Sequence, residues 1–236
     1  MASQRVTRIL CVADPRGAAF LQGLREAAQD LDVHALAVVG ELGEGQDGAR
    51  DYRATMRALG ECELPTYWVP GPEDAPVSAY LREAYNMETV FPLLHGVHGT
   101  AAFAPDGHLL FAGLGGEVDD DPDSERDEIG RLRYPRWEAE YRLKLLRELD
   151  EHSVTLLFST PPLHKGEGVG TSEVLTELVG TYRARLVVCG GERGHWLIGR
   201  SIIVAPGSLE DGHYALVDLH SREVELEQLA AAPAKG

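Results

Sequence analysis

The feature that most constrains this chain is the way its apolar residues are parcelled. They come in runs of about five, such as Arg8–Ala13, Ala35–Val39 and Thr66–Val69, ended by Asp14, Gly40 and Pro70. Between them lie stretches with helical spacing: Phe20, Leu21, Leu24, Ala27, Ala28 and Leu31 in the first, then Tyr52–Leu59. A continuous apolar run such as Ala35–Val39 suits a strand covered on both faces. Strand, helix, strand, helix, strand at this spacing predicts right-handed βαβ units and a parallel sheet. A third helix is expected over Pro76–Tyr85. No run is long enough to span a bilayer.

The middle of the chain reads differently. Thr100–Ala104 and His108–Gly113 flank Pro105-Asp106-Gly107, a hairpin signal. Glu117–Glu128 then packs eight carboxylates into twelve residues, with Pro122 and Ser124 among them. Such a run repels itself, so the expectation at 117–128 is a flexible, solvated acidic loop. Helical spacing returns over Pro135–Leu149, with Trp137, Tyr141, Leu145 and Leu149 on one face. Val154–Phe158 and Leu186–Cys189 read as strands around a helix at Thr171–Thr181. Trp196–Ile198, Ser201–Ala205, Tyr214–Leu219 and Glu223–Glu227 complete the strand signals. No repeat or linker divides the chain, so a single domain over 1–236 is expected.

Charge and cysteine use narrow the classes of partner. With 22 Lys and Arg against 38 Asp and Glu, the net charge is −16, which argues against nucleic acid and anionic membranes. Cys11, Cys62 and Cys189 stand singly, with no CxxC pair, as buried thiols of a reducing cytoplasm would. The first apolar stretch is too short for a secretory signal. A monomer and a homodimer both suit such a chain.

In an open α/β sheet, chemistry gathers beyond the carboxyl ends of the strands. Here those ends read Asp14-Pro15-Arg16-Gly17, Gly40-Glu41, Pro70-Gly71-Pro72-Glu73-Asp74, Ser159-Thr160-Pro161-Pro162 and Gly190-Gly191-Glu192-Arg193. Pro206-Gly207-Ser208-Leu209 and the strand Tyr214–Leu219 follow. In this order the blocks resemble the calcineurin-like metallophosphoesterase superfamily, over about Arg8 to Leu219. The resemblance implies an α/β four-layer αββα sandwich, two packed mixed β-sheets flanked by helices, with a two-metal site at the strand ends.

Matched position by position, the scaffold glycines and prolines are kept, but the metal-binding side chains are not. Asp14 keeps its identity. Arg16 stands where the family has histidine, Glu41 where it has the bridging aspartate, and Pro72 where it has asparagine. Glu73 occupies the general-acid position, and Ser159, Gly191 and Arg193 occupy three further histidine positions. Proline and glycine offer no side-chain donor, and arginine carries a permanent positive charge that repels a dication. The resemblance therefore implies a degenerate member, with no cofactor expected.

Several readings of the cleft follow. Arg16 and Arg193 replace metal charge in a salt-bridge network with Asp14, Glu41 and Glu73, or they clamp a small anionic ligand, a phosphate or carboxylate. The third reading is a single Mg²⁺ or Ca²⁺ ion held by Asp14 and Glu41, with Glu73 as the acid of an active phosphoesterase. His195, two residues beyond Arg193, shares its face in an extended segment. His164, Lys165 and the glycines at 166, 168 and 170 form a loop near the cleft. Asp74 and Glu192, at positions the family does not use as ligands, are expected to turn outward. The function expected first is a non-catalytic binding or regulatory module for a small anionic ligand or a protein partner.

Overall fold

The computed structural model describes residues 5–16, 20–43, 52–121, 123–164 and 170–229. Lys165 and the glycines at 17, 166 and 168 lie outside them. The chain runs β1 (Arg8–Ala13), α1 (Leu21–Asp30), β2 (Ala35–Val39), α2 (Arg53–Gly60), β3 (Thr66–Trp68), α3 (Val77–Val90) and β4 (Leu94–Gly96). Next come β5 (Ala101–Phe103), β6 (Leu109–Leu114), β7 (Glu117–Asp119), β8 (Arg133–Pro135), α4 (Arg136–Arg142) and β9 (Ser153–Phe158). It ends with α5 (Glu173–Tyr182), β10 (Leu186–Cys189), β11 (Gly194–Ile198), β12 (Ser201–Ala205), β13 (His213–Asp218) and β14 (Glu223–Gln228).

Two six-stranded sheets, ordered β14-β13-β1-β2-β3-β4 and β11-β12-β10-β9-β6-β5, pack face to face. Both are mixed: β1, β2, β3 and β4 run parallel, β13 runs antiparallel between β1 and β14, and the second sheet carries β5 and β11 as antiparallel edges. The buried runs alternate sides, as the two-residue period of a strand requires. Ile9, Cys11 and Ala13 face the space between the sheets, whereas Leu10 and Val12 face α1 and its neighbours. Between the sheets the rings of Tyr67 and Phe111 stack at 3.7 Å. Leu110, Ala112, Leu156 and Phe158 turn the other way, toward α4 and α5. This gives the four layers that the resemblance implied.

The hairpin at Pro105–Gly107 forms as expected, with Gly107 at φ 71°. Two expectations are corrected. Within the acidic run, Glu117–Asp119 is strand β7 and not loop, paired parallel with β8. The run's carboxylates have partners that offset their repulsion, described below. The helix expected to Leu149 changes to 3-10 geometry at Leu143. Its buried side is Ala139, Leu143 and Leu146, leaving Trp137 61% and Tyr141 69% exposed. Small Ala139 lets the helix lie close to the sheet, and the tighter three-residue turn sets the later leucines on that side.

Candidate functional site

The loops that follow β1, β2 and β3 converge at one end of the sandwich. Asp14 N–H donates to Val39 C=O at 2.9 Å and Arg16 N–H to Glu41 C=O at 3.0 Å, which carries the parallel pairing past the strand ends. Glycine is required where these loops touch. A Cβ on Gly71 would lie 2.5 Å from the Glu41 carboxyl carbon, and one on Gly40 would meet the Asp14 carboxylate. From the second sheet, the Ser159 hydroxyl donates to Pro70 C=O at 2.6 Å.

Three carboxylates in this nest are spent on backbone amides. Asp14 Oδ1 accepts from Glu41 N–H at 2.9 Å. Both oxygens of Glu41 accept from Glu73 N–H at 3.1 Å. Asp74 accepts from Leu42, Gly43 and Gly71 N–H at 2.8 to 3.1 Å. Asp74 is 0% exposed, which corrects the expectation that it turns outward. The loop after β2 offers consecutive amides with no backbone acceptor, and a buried amide without a partner is costly. Asp74 fills that role from a neighbouring loop.

Burial sets the electrostatics here. It raises Asp14 above the usual carboxylate range, against the opposing pull of the Glu41 amide and Arg16. Burial, reinforced by the charge of Asp74, pushes Glu41 up to about 8. At the cleft mouth Arg16 reaches Glu73 at 3.5 Å and Glu210 at 3.4 Å. Arg193 does not join them. Its guanidinium donates to Glu227 C=O at 3.2 Å, and its stem lies against Gly207. The two arginines therefore do not close on one point as a clamp. Glu192 and His195 are exposed, and the His164 ring packs 5.9 Å from Trp196. Glu210 was missed in the sequence, although it closely follows the Pro206–Leu209 block.

A family model described as metallophosphoesterase, calcineurin superfamily, matches residues 51–229. The chain belongs to this superfamily. The crystal structure of TT1561 of Thermus thermophilus is 40% identical, with a TM-score of 0.89, over 96% of this chain and 100% of that one. A structure described as a novel archaeal phosphodiesterase shares the fold at 9% identity and TM-score 0.56, covering 94% and 99% of the two chains. The 5'-nucleotidase of Candida albicans SC5314 does so at 11% and 0.61, covering 94% of this chain and 51% of that one. No curated protein sequence matches significantly.

The superfamily implies metal ions at these strand ends, and the donor set here does not suit two of them. A dinuclear centre needs free carboxylate and neutral imidazole donors around ions about 3.5–4 Å apart. Here Asp14 Oδ1 and the carboxylates of Glu41 and Asp74 accept from amides, no imidazole among the described residues stands beside them, and Arg16 brings a fixed positive charge. Among the described residues, no group of three or more His, Cys, Asp or Glu side chains is arranged to hold a metal ion.

Proposed function

We propose that this metallophosphoesterase relative is a non-catalytic binding or regulatory module that takes a small anionic ligand or a protein partner at its strand-end cleft. The inward use of Asp14, Glu41 and Asp74 carries this reading, because each of these carboxylates already accepts a backbone amide that holds a loop. The backbone supports it as well. Asp14 at φ 47° and Arg16 at φ 34° sit in the left-handed region. Such residues cost on the order of 1–3 kcal/mol each and cluster at functional sites. That conformation presents Arg16 at the cleft mouth between two partly exposed glutamates. An incoming phosphate or carboxylate can exchange for them, since exposed ion pairs are weak. The buried free cysteines suit a cytoplasmic setting.

The test combines hydrolysis of p-nitrophenyl phosphate and bis-p-nitrophenyl phosphate with thermal melts, each across Mg²⁺, Ca²⁺, Mn²⁺ and Zn²⁺. The expected result is background turnover and a melting temperature that metal does not shift. Turnover that needs added metal and is lost in Asp14→Asn would establish an active phosphoesterase with a carboxylate-based site instead.

A further inference from the structure

Residues 117–121 and 123–135, the acidic arm that carries β7 and β8, meet the loop bearing Glu73 and Asp74 through three backbone hydrogen bonds. Gly116 N–H, at the foot of the arm, donates to Pro70 C=O at 2.9 Å, and Leu132 N–H donates to Pro72 C=O at 2.8 Å. Val77 N–H, just past the loop, donates to Glu128 C=O at 2.9 Å. These bonds bracket the loop from Pro70 to Val77. Within it, Asp74 holds the amides of Leu42, Gly43 and Gly71.

The other side of the arm is fastened to the helices on the outer face of the second sheet. Asp120 accepts from the Ser172 hydroxyl at 2.6 Å and from Val174 N–H at 3.2 Å, at the start of α5. Glu128 meets Arg142 of α4 at 3.0 Å. The same guanidinium donates to Glu138 at 2.7 and 2.9 Å and lies 4.5 Å over the Tyr134 ring of β8. Glu138 is buried and also meets Arg126 at 3.5 Å. His98, packed beside Arg142, is kept neutral by burial and by that charge, which lower it to about 3. One arginine thus gathers the arm, α4 and β8 around itself.

We propose that the acidic arm is a conformational strap, latched by Arg142, through which the outer helices α4 and α5 control the order of the Pro70–Val77 loop and of the amides Asp74 holds. The strap works whether or not the cleft binds metal, so it does not rest on the non-catalytic reading. Its physical basis is a contiguous set of bonds from helix to arm to loop, a two-sided fastening in which release on one side removes support from the other.

Amide hydrogen exchange of the full chain, read by mass spectrometry or NMR, tests the strap in Arg142→Met and Glu128→Gln. Both variants are expected to speed exchange by about tenfold in the arm and also at Leu42, Gly43 and Gly71, and in Glu128→Gln, which keeps the buried Arg142–Glu138 pair, Val38 and Leu216 stay unchanged. Faster exchange confined to residues 117–135 would overturn the proposal, as would no change anywhere. If Arg142→Met also loosens Val38 and Leu216, Glu128→Gln decides by the same criterion, because it leaves the Arg142–Glu138 pair in place. Global loosening in both variants would show that Arg142 is part of the general core and would overturn the latch.

Discussion

Two clusters of charge lie close together in this molecule and solve the same problem in opposite ways. At the cleft, Asp14, Glu41 and Asp74 are satisfied by backbone amides, and Arg16 stays at the rim. At the strap, Glu138 and Glu128 are satisfied by Arg142, a guanidinium in the middle of its cluster. Amides are dipoles fixed by the fold, so they stabilise a carboxylate without cancelling its charge. The acids of the cleft therefore stay costly to ionise: burial first, and then the charge of Asp74, pushes Glu41 up to about 8. A guanidinium cancels charge but depends on one side chain. In the cleft each acid holds its own amides, and Asp74 alone holds three, whereas the acids of the strap gather on one guanidinium.

The largest effect should come from Asp74→Ala, which strands three amides at once. A loss of about 4 kcal/mol is expected in chemical denaturation. A loss below that of the arginine variant would break the comparison, because the amide-held side would then be the minor one. Arg142→Met should cost about 3 kcal/mol, since it leaves Glu138 buried without its main partner. Adding Glu138→Met on top should recover part of that loss, and a double variant no better than the single one would contradict the charge-cancelling role.

A third effect is a slope with pH. Glu41 holds its proton in the folded chain up to about 8, against an ordinary value of 4.5. Between those values the folded state binds more protons than the unfolded one, so stability falls as pH rises through the window. Glu41→Gln has no such proton to lose. Its melting temperature should gain on wild type steadily from about pH 5 to pH 8, and a constant gap would show that Asp74 and burial do not act on Glu41 as described. The smallest effect is expected of Arg16→Met, below about 1 kcal/mol, because its two ion pairs are partly exposed.

The strand ends were legible because their punctuation is local. Gly40, Pro70-Gly71 and Gly190 each stop a run of apolar residues, and the close approach of loops there requires glycine whatever else the site does. The partners of Asp74 were not legible. Two of the three, the amides of Leu42 and Gly43, lie 32 and 31 positions away, and backbone carries no letter in the sequence. The acidic arm misled for a related reason. Repulsion within Glu117–Glu128 is plain in composition, but Asp120 answers to the start of α5, Glu128 to Arg142 and Asp127 to the amides of Ile129 and Gly130. The helix after Pro135 kept its extent but not its burial, since the 3-10 segment from Leu143 decides which side packs.

Among the described residues one edge of the first sheet is β14, whose exposed residues are Glu223, Glu225, Glu227 and Gln228. Unpaired strand edges invite further strands, from a second copy or from a partly unfolded neighbour. Any antiparallel copy laid along β14 would bring a row of glutamates against a row of glutamates. Arg193 already occupies the Glu227 carbonyl, and Arg222 ties the far end to Arg200 of the other sheet's edge hairpin. This edge is thereby guarded against growth between molecules, and concentrated solutions of the chain are expected to stay dispersed better than those of a variant with a neutral β14.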